Sequence, residues 1–191
     1  VLPEETALLK RLLNETSVDM ELAEKAIMYI KKYHGPTKRN SGELFYLHPI
    51  AAADILLNYT EDQTAILATL LHDTVEDTPL TLAEIGVVFG PDVAAIVNKV
   101  THLDGQFRRI HMSAQENIRQ LLEEADVRAL QVKLADRTHN MRTIEGHTSL
   151  EKQQKIAEET LHFFVPMARY LGLKQIEEEL QGLITAVMQK K

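Results

Sequence analysis

Apolar residues recur along this chain at spacings of three and four, the period of a helix with one face turned to a core. The alternation of a half-buried strand is almost nowhere to be found. Over 19–34, Leu22, Ala23, Ala26, Ile27, Ile30 and Tyr33 share one face, and Gly35 ends that helix. The stretch "GPTKRNSGELFYL", 35–47, gathers Gly, Pro, Ser and Asn and reads as a loop. A helix is predicted from about Pro49 to Asn58, with the proline tolerated in its first turn, and another from about 61 to 76. Capping boxes at Thr81–Glu84, Ser113–Glu116 and Thr148–Glu151 announce later starts. Gly90-Pro91 separates a pair of short helices, and 103–112, "LDGQFRRIHM", predicts a mobile loop. Helices follow near 126–144 and 149–170 and, past Gly172, over 173–189. With no repeat or linker in view, the pattern predicts a single all-α domain over 1–191, a bundle of roughly ten helices.

Composition narrows the function classes. A chain of 191 residues buries roughly 70% of its unfolded surface, so it needs no staples. The absence of cysteine excludes disulfides, thiolate metal sites and thiol nucleophiles, and fits a reduced cytoplasm. No apolar run approaches the ~18 residues of a membrane span. A formal net charge of -7 argues against a protein that binds nucleic acid by neutralising phosphates. It leaves room for a small phosphorylated ligand, because a local basic patch or a metal ion governs the field in a pocket. The expectation is a cytoplasmic protein with neither membrane nor nucleic acid as partner.

The chemistry concentrates in "LLHDTVEDTP", 70–79. On a helix, His72 stacks on Glu76 and Asp73 on Asp77. Burying such charges without partners costs several kcal/mol. A divalent cation relieves that cost, because imidazole and carboxylate are its natural ligands; a solvated acidic helix end that happens to hold a histidine is the plainer alternative. Two further segments favour the metal: "FYLHPI" presents His48 just before a helix, and "LQVKLADRTHNMRTI" sets Asp136 after an apolar run, with His139 and Asn140 on the next turn. His48, His72, Asp73 and Asp136 form an H…HD…D set. Two imidazole nitrogens and two carboxylates hold one cation and leave positions open. A set without sulfur suits Mn²⁺, and accepts Fe²⁺, Co²⁺, Ni²⁺ or Zn²⁺.

That order resembles the HD-superfamily phosphohydrolases and, more narrowly, the hydrolase domain of RelA/SpoT-type alarmone enzymes. The matching blocks are "KRNSGELFYLHPIAAADIL", "ATLLHDTVEDTPLTLAEIGVVFGPDVAAIVNKVTHL", "AQENIRQLL", "VKLADRTHNMRTI" and "KQQKIAEETLHFFVPMARYLGL". The resemblance implies that His48, His72, Asp73 and Asp136 hold Mn²⁺. It implies that Glu76 and Asp77 orient and deprotonate the attacking water, and that Arg39 stacks on a guanine base with Lys38 and Ser41 in the same loop. Asn140 and Thr143 would line the sugar and base, with Lys133 and Arg137 near the phosphates. The implied reaction is hydrolysis of the 3′-diphosphate of ppGpp or pppGpp to GDP or GTP and pyrophosphate. A related phosphatase acting on another nucleotide such as NADPH, or a silent alarmone-binding regulator, are the alternatives; the retention of all six metal and water-handling residues speaks against the regulator.

Other features have plainer readings. His139 is expected to be structural, a donor that orients a ligand. His34, His102, His111, His147 and His162 are expected on the surface or in the core, Arg108-Arg109 in solvent, "EEEL" at 177–180 on a solvated helix face, and Phe163, Phe164, Met167 and Tyr170 in the core. Pro36-Thr37 and Arg169-Tyr170 depart from the family pattern. The chain ends at "LITAVMQKK" without a synthetase motif, which implies a stand-alone small hydrolase or a domain trimmed from a longer member.

Overall fold

A computed structural model describes residues 2–107, 115–146 and 149–190. The helices are α1 (Pro3–Glu15), α2 (Met20–His34), α3 (Leu47–Leu56), α4 (Gln63–Leu71), α5 (Thr74–Asp77), α6 (Leu82–Phe89), α7 (Pro91–Phe107), α8 (Gln115–Glu124), α9 (Val127–Arg142), α10 (Leu150–Glu159), α11 (Val165–Tyr170) and α12 (Lys174–Met188). Among the described residues there is no strand beyond an isolated bridge between Lys38 and Leu44. The all-α prediction therefore holds. No helix is long and apolar enough to cross a membrane among those described.

The core is organised around α4, whose residues Ala65 to Leu71 are all buried. A helix apolar all round must be enclosed, and α2, α3, α7 and α9 surround it. Asp62 opens it by accepting the backbone N–H of Ala65. α3 lies between α4 and α9 and buries His48, Ile50, Ala52, Ala53, Ile55 and Leu56. This packing brings the start of α3, the end of α4 and the middle of α9 to one place.

Several boundaries differ from the expected ones, each for a local reason. The helix predicted over 61–76 breaks at His72-Asp73. The Thr69 carbonyl is taken by His72 Nδ1 at 2.6 Å and the Leu71 carbonyl by the Thr74 hydroxyl at 2.7 Å, so side chains compete with the backbone ladder at the HD pair. Gly90-Pro91 does separate one helix from the next, but the second is long. α7 runs to Phe107, burying Leu103 and Phe107, so the predicted loop at 103–112 is helical in its first half; the remainder, with Arg108, Arg109 and the Ser113 cap, lies outside the described residues. The Thr81–Glu84 capping box is present in both directions. At the start of α10, Ser149 is the cap, accepting the Lys152 N–H at 3.4 Å, in place of the expected Thr148, which lies outside the described residues. The helix expected over 149–170 is interrupted by a π turn, Thr160–Phe164, in which Val165 N–H reaches the Thr160 carbonyl. Pro166 lacks the N–H that the carbonyl four residues earlier would need, which disrupts the ladder there. Phe163, Phe164 and Met167 are core as expected, whereas Tyr170 is 48% exposed. The periodicity reading also passed over α1, whose Leu8 and Leu12 are buried.

Candidate metal centre and substrate cleft

His48 sits in the first turn of α3, His72 and Asp73 at the break after α4, and Asp136 in mid-α9. The break fixes the HD pair. With Nδ1 of His72 2.6 Å from a carbonyl oxygen, a proton resides there, and Nε2 is the ring nitrogen turned toward the carboxylates. That Nε2 is sealed from solvent and makes no hydrogen bond, although Asp73 Oδ1 and Asp136 Oδ1 stand 3.0 and 3.5 Å away.

His48 is arranged in the same way. His139 Nδ1 lies 2.7 Å from His48 Nδ1 and 3.4 Å from an Arg39 guanidinium nitrogen. A guanidinium only donates. Burial, with the charges of His48 and Arg39, pushes the His139 pKa down to about 3, so its ring is neutral. Its Nδ1 accepts, and His48 Nδ1 donates to it. His139 thus orients a candidate ligand by accepting a hydrogen bond, where the sequence led us to expect a donor. His48 Nε2 is turned the same way, hydrogen-bonded to Asp136 Oδ1 at 2.9 Å and 3.5 Å from Asp73 Oδ2.

Two imidazole Nε2 atoms therefore converge on two carboxylates in a buried place. Ligand atoms of His48, His72 and Asp73 all lie within 4.8 Å of one another, and Asp136 Oδ1 lies against both histidines. The positive charge that faces these carboxylates comes from the histidines and Lys133. Burial disfavours the His72 imidazolium, yet Asp73 and Asp136 raise its pKa well above the ordinary value. Burial likewise opposes charge on Asp136, but Lys133 and the histidines hold its carboxyl well below the usual range; Asp73 is lowered against burial by His72 and His48. The set fits a divalent cation, which in place of a proton on either Nε2 answers both imidazoles and both carboxylates at once. Asp136 is further fixed by Lys133 Nζ on Oδ2 at 2.9 Å and by Asn140 Nδ2 on Oδ1 at 2.8 Å, the outer partners that orient ligands in metal sites.

Asp136 also lines a cleft of about 520 Å³. Every residue that the sequence nominated for substrate borders it: Lys38, Arg39, Ser41, Lys133, Arg137, Asn140 and Thr143. The loop carrying Arg39 is a tight turn, closed by Arg39 N–H to the Glu43 carbonyl at 2.9 Å and Phe45 N–H to the Thr37 carbonyl at 2.8 Å. Gly42 sits at its tip with φ +89°, which favours glycine. The Arg39 guanidinium reaches Glu43 at 3.0 Å, Asn140 at 2.6 Å and Thr143 at 3.3 Å. Glu76 and Asp77 stand exposed on α5 beside the HD pair. Burial and the neighbouring Asp73 charge raise the Asp77 pKa.

Five cleft residues escaped the sequence reading: Asn40, Phe45, Gly146, Ile156 and Glu159. Phe45 stacks on buried His34, ring centroids 4.7 Å apart, and meets His48 edge-on; His34 is thus core, as allowed for, but core behind the site. Gly146 approaches so closely that a Cβ there would lie 2.7 Å from the Ser41 Cβ. Ile156 and Glu159 come from α10, and Glu159 pairs with Arg137 at 2.5 Å. Elsewhere, Arg169 is tied to Glu177 at 2.6 Å, far from a site role.

Comparisons with known proteins agree with this architecture. A family model described as HD domain matches residues 26–174. A GTP pyrophosphokinase of Myxococcus xanthus is 42% identical over 86% of this chain and 22% of its own length. The guanosine-3′,5′-bis(diphosphate) 3′-pyrophosphohydrolase of Haemophilus influenzae is 42% identical over 82% of this chain and 23% of its own. For the bifunctional (p)ppGpp synthase/hydrolase SpoT of Escherichia coli the figures are 40%, 83% and 23%. The chain thus spans less than a quarter of the length of these relatives. A solved structure of a metazoan ortholog of SpoT, described as hydrolysing ppGpp, superposes with a TM-score of 0.68 over 90% of this chain and 97% of that one; at 24% identity it speaks to the fold.

Proposed function

This chain belongs to the HD-domain family, and we propose that it hydrolyses the 3′-diphosphate of ppGpp or pppGpp, releasing pyrophosphate and GDP or GTP. The observation that carries the proposal is the convergence of two histidine Nε2 atoms and two carboxylates beside a cleft lined by Lys38, Arg39, Ser41, Lys133, Arg137, Asn140 and Thr143. The similarity to relatives named for ppGpp chemistry supports it.

His48, His72, Asp73 and Asp136 would hold one divalent cation, with Mn²⁺ suited to an oxygen-and-imidazole set. Such a cation polarises a phosphoryl oxygen and makes water a nucleophile near neutral pH. Arg39, Asn140 and Thr143 hold the nucleoside end, and Lys38, Lys133 and Arg137 offer positive charge to phosphates in a chain that is acidic overall. Ser41 contributes a hydroxyl from the turn. Glu76 and Asp77 take the proton of the attacking water; its raised pKa makes Asp77 a stronger base than an ordinary aspartate. The water oxygen bonds to the phosphorus attached to the ribose 3′-oxygen, that P–O bond breaks, and the 3′-oxygen leaves with a proton.

The test is pyrophosphate release from ppGpp with Mn²⁺ and with chelator, run beside NADPH and GTP. We expect fast release from ppGpp that stops on chelation. Turnover of NADPH alone would keep the water chemistry and reassign the substrate; tight ppGpp binding without release would make the chain a sensor.

A further inference from the structure

Arg137 is held in the cleft wall by two groups from one neighbouring element. Its Nη2 donates to Glu159 Oε1 at 2.5 Å, and its guanidinium carbon lies 4.3 Å from the centre of the Phe164 ring. Glu159 is the last residue of α10 and Phe164 the last of the π turn. Five residues apart, the two would point about 140° away from each other around an α-helix. The wider π turn brings them to the same side, so that one grips the edge of the guanidinium and the other backs its face. Such single-turn widenings recur at functional sites. Phe164 is itself fully buried and packs on Phe107 of α7, which makes the backing rigid. The Arg137 Nε is sealed from solvent and has no hydrogen-bond partner. A buried donor left without an acceptor costs free energy, so the chain keeps this guanidinium in place against a penalty.

We propose that Glu159 is a positioning residue: with the π turn, it holds the Arg137 guanidinium rigid in the cleft as a clamp for a diphosphate group. The proposal rests on reading the cleft as a phosphate site. It opposes plain electrostatics, in which a carboxylate lining a phosphate cleft weakens anion binding. Glu159 trades that repulsion for an arginine whose rotamer freedom is already restricted, so less is lost on binding.

The sign of one substitution separates the two. Pyrophosphate binding to the full chain is measured by equilibrium dialysis at one fixed divalent-cation concentration, for the wild type, Glu159→Gln, Arg137→Ala and the double variant. Glu159→Gln should weaken binding about three- to tenfold, the scale of one charge-assisted contact losing its geometry. It should have no further effect once Arg137 is alanine. With ppGpp as substrate, Glu159→Gln should raise KM and leave kcat within about twofold. Melting curves check that each variant is folded; Glu159 is half-exposed, so its removal leaves the core intact. Equal or tighter pyrophosphate binding by Glu159→Gln would overturn the proposal. So would a loss that persists without Arg137, or a wild type that does not bind pyrophosphate. A wild type that binds pyrophosphate with this coupling but leaves ppGpp intact would refute the assigned substrate alone and uphold the clamp.

Discussion

Two buried charged clusters in this molecule lie on either side of the loop that leads into α3, and they are built on opposite principles. In the first, Glu5 of α1, 2% exposed, meets Lys31 of α2, whose Nζ lies 2.9 Å from each carboxylate oxygen and 5.5 Å from the centre of the Tyr46 ring. Burial raises the Glu5 pKa, but the Lys31 and backbone hydrogen bonds outweigh it and the net shift is downward; the Lys31 pKa is raised by the same pairing. Anion and cation are both supplied by the chain. In the second, His48, His72, Asp73 and Asp136 turn two imidazole Nε2 atoms and two carboxylates toward one place, and Lys133 reaches the far oxygen of Asp136. The first cluster pairs one anion with one cation and fastens α1 to α2. The second sets two carboxylates against two imidazole nitrogens, the ligand types of a divalent cation. Lys31 keeps 35% of its side chain exposed, whereas the second cluster is more enclosed; the kinds of groups brought together tell structure from site.

The contrast breaks most sharply at Asp73. Asp73→Ala should lower ppGpp hydrolysis by at least ~10³-fold, as loss of one member of a unit does, and should abolish the thermal stabilisation that added Mn²⁺ gives the wild type. That stabilisation is about 4 kcal/mol at a cation concentration a thousand times Kd. A melting curve of Asp73→Ala that still rises with Mn²⁺ would erase the distinction between the clusters.

Next is Lys31→Ala, which strands Glu5 and should cost about 3 kcal/mol of stability in denaturant melts, with activity per folded molecule unchanged. The pH dependence carries the same signature. Glu5 is lowered from 4.5, so its contribution is complete above that value and is lost as pH falls through the folded pKa. Lys31 is raised from 10.5, so its contribution is complete below that value and is lost as pH rises beyond it. Lys31→Ala should remove both slopes.

Glu76→Gln sharpens the contrast from inside the site. It should cut kcat by about 10²-fold, the worth of a general base, while Mn²⁺ binding persists. Loss of the cation as complete as in Asp73→Ala would move Glu76 among the ligands. Smallest is Gly146→Ala, whose new methyl must displace Ser41 and the turn bearing Arg39. A rise in KM of roughly tenfold with little change in kcat is expected, and an unchanged KM would detach that turn from substrate binding.

Much of this was open to reading along the chain. Helical spacing and the caps at Gly35 and Thr81 delimit real elements, and the HD pair with His48 and Asp136 announces the candidate centre. The seven nominated cleft residues came from motif resemblance, and all line one cleft. What stayed hidden depends on residues distant in sequence. Glu159 is one acidic residue among many until Arg137, twenty-two residues earlier, is set against it. His139 is one histidine among eight until Arg39, a hundred residues away, fixes its acceptor role. Gly146 resembles any loop glycine until Ser41 is set against it. The break at His72-Asp73 was missed because 61–76 is helical in period, and only the side-chain bonds to the Thr69 and Leu71 carbonyls interrupt it.

The central claim is that the four residues His48, His72, Asp73 and Asp136 demand a cation that the chain itself does not supply. Mn²⁺ titration followed by electron paramagnetic resonance, on the wild type and on Asp73→Ala, addresses it directly. The account predicts one tightly bound ion per wild-type chain and none per Asp73→Ala chain. A wild type that binds no ion, or a variant that binds it equally well, would contradict it.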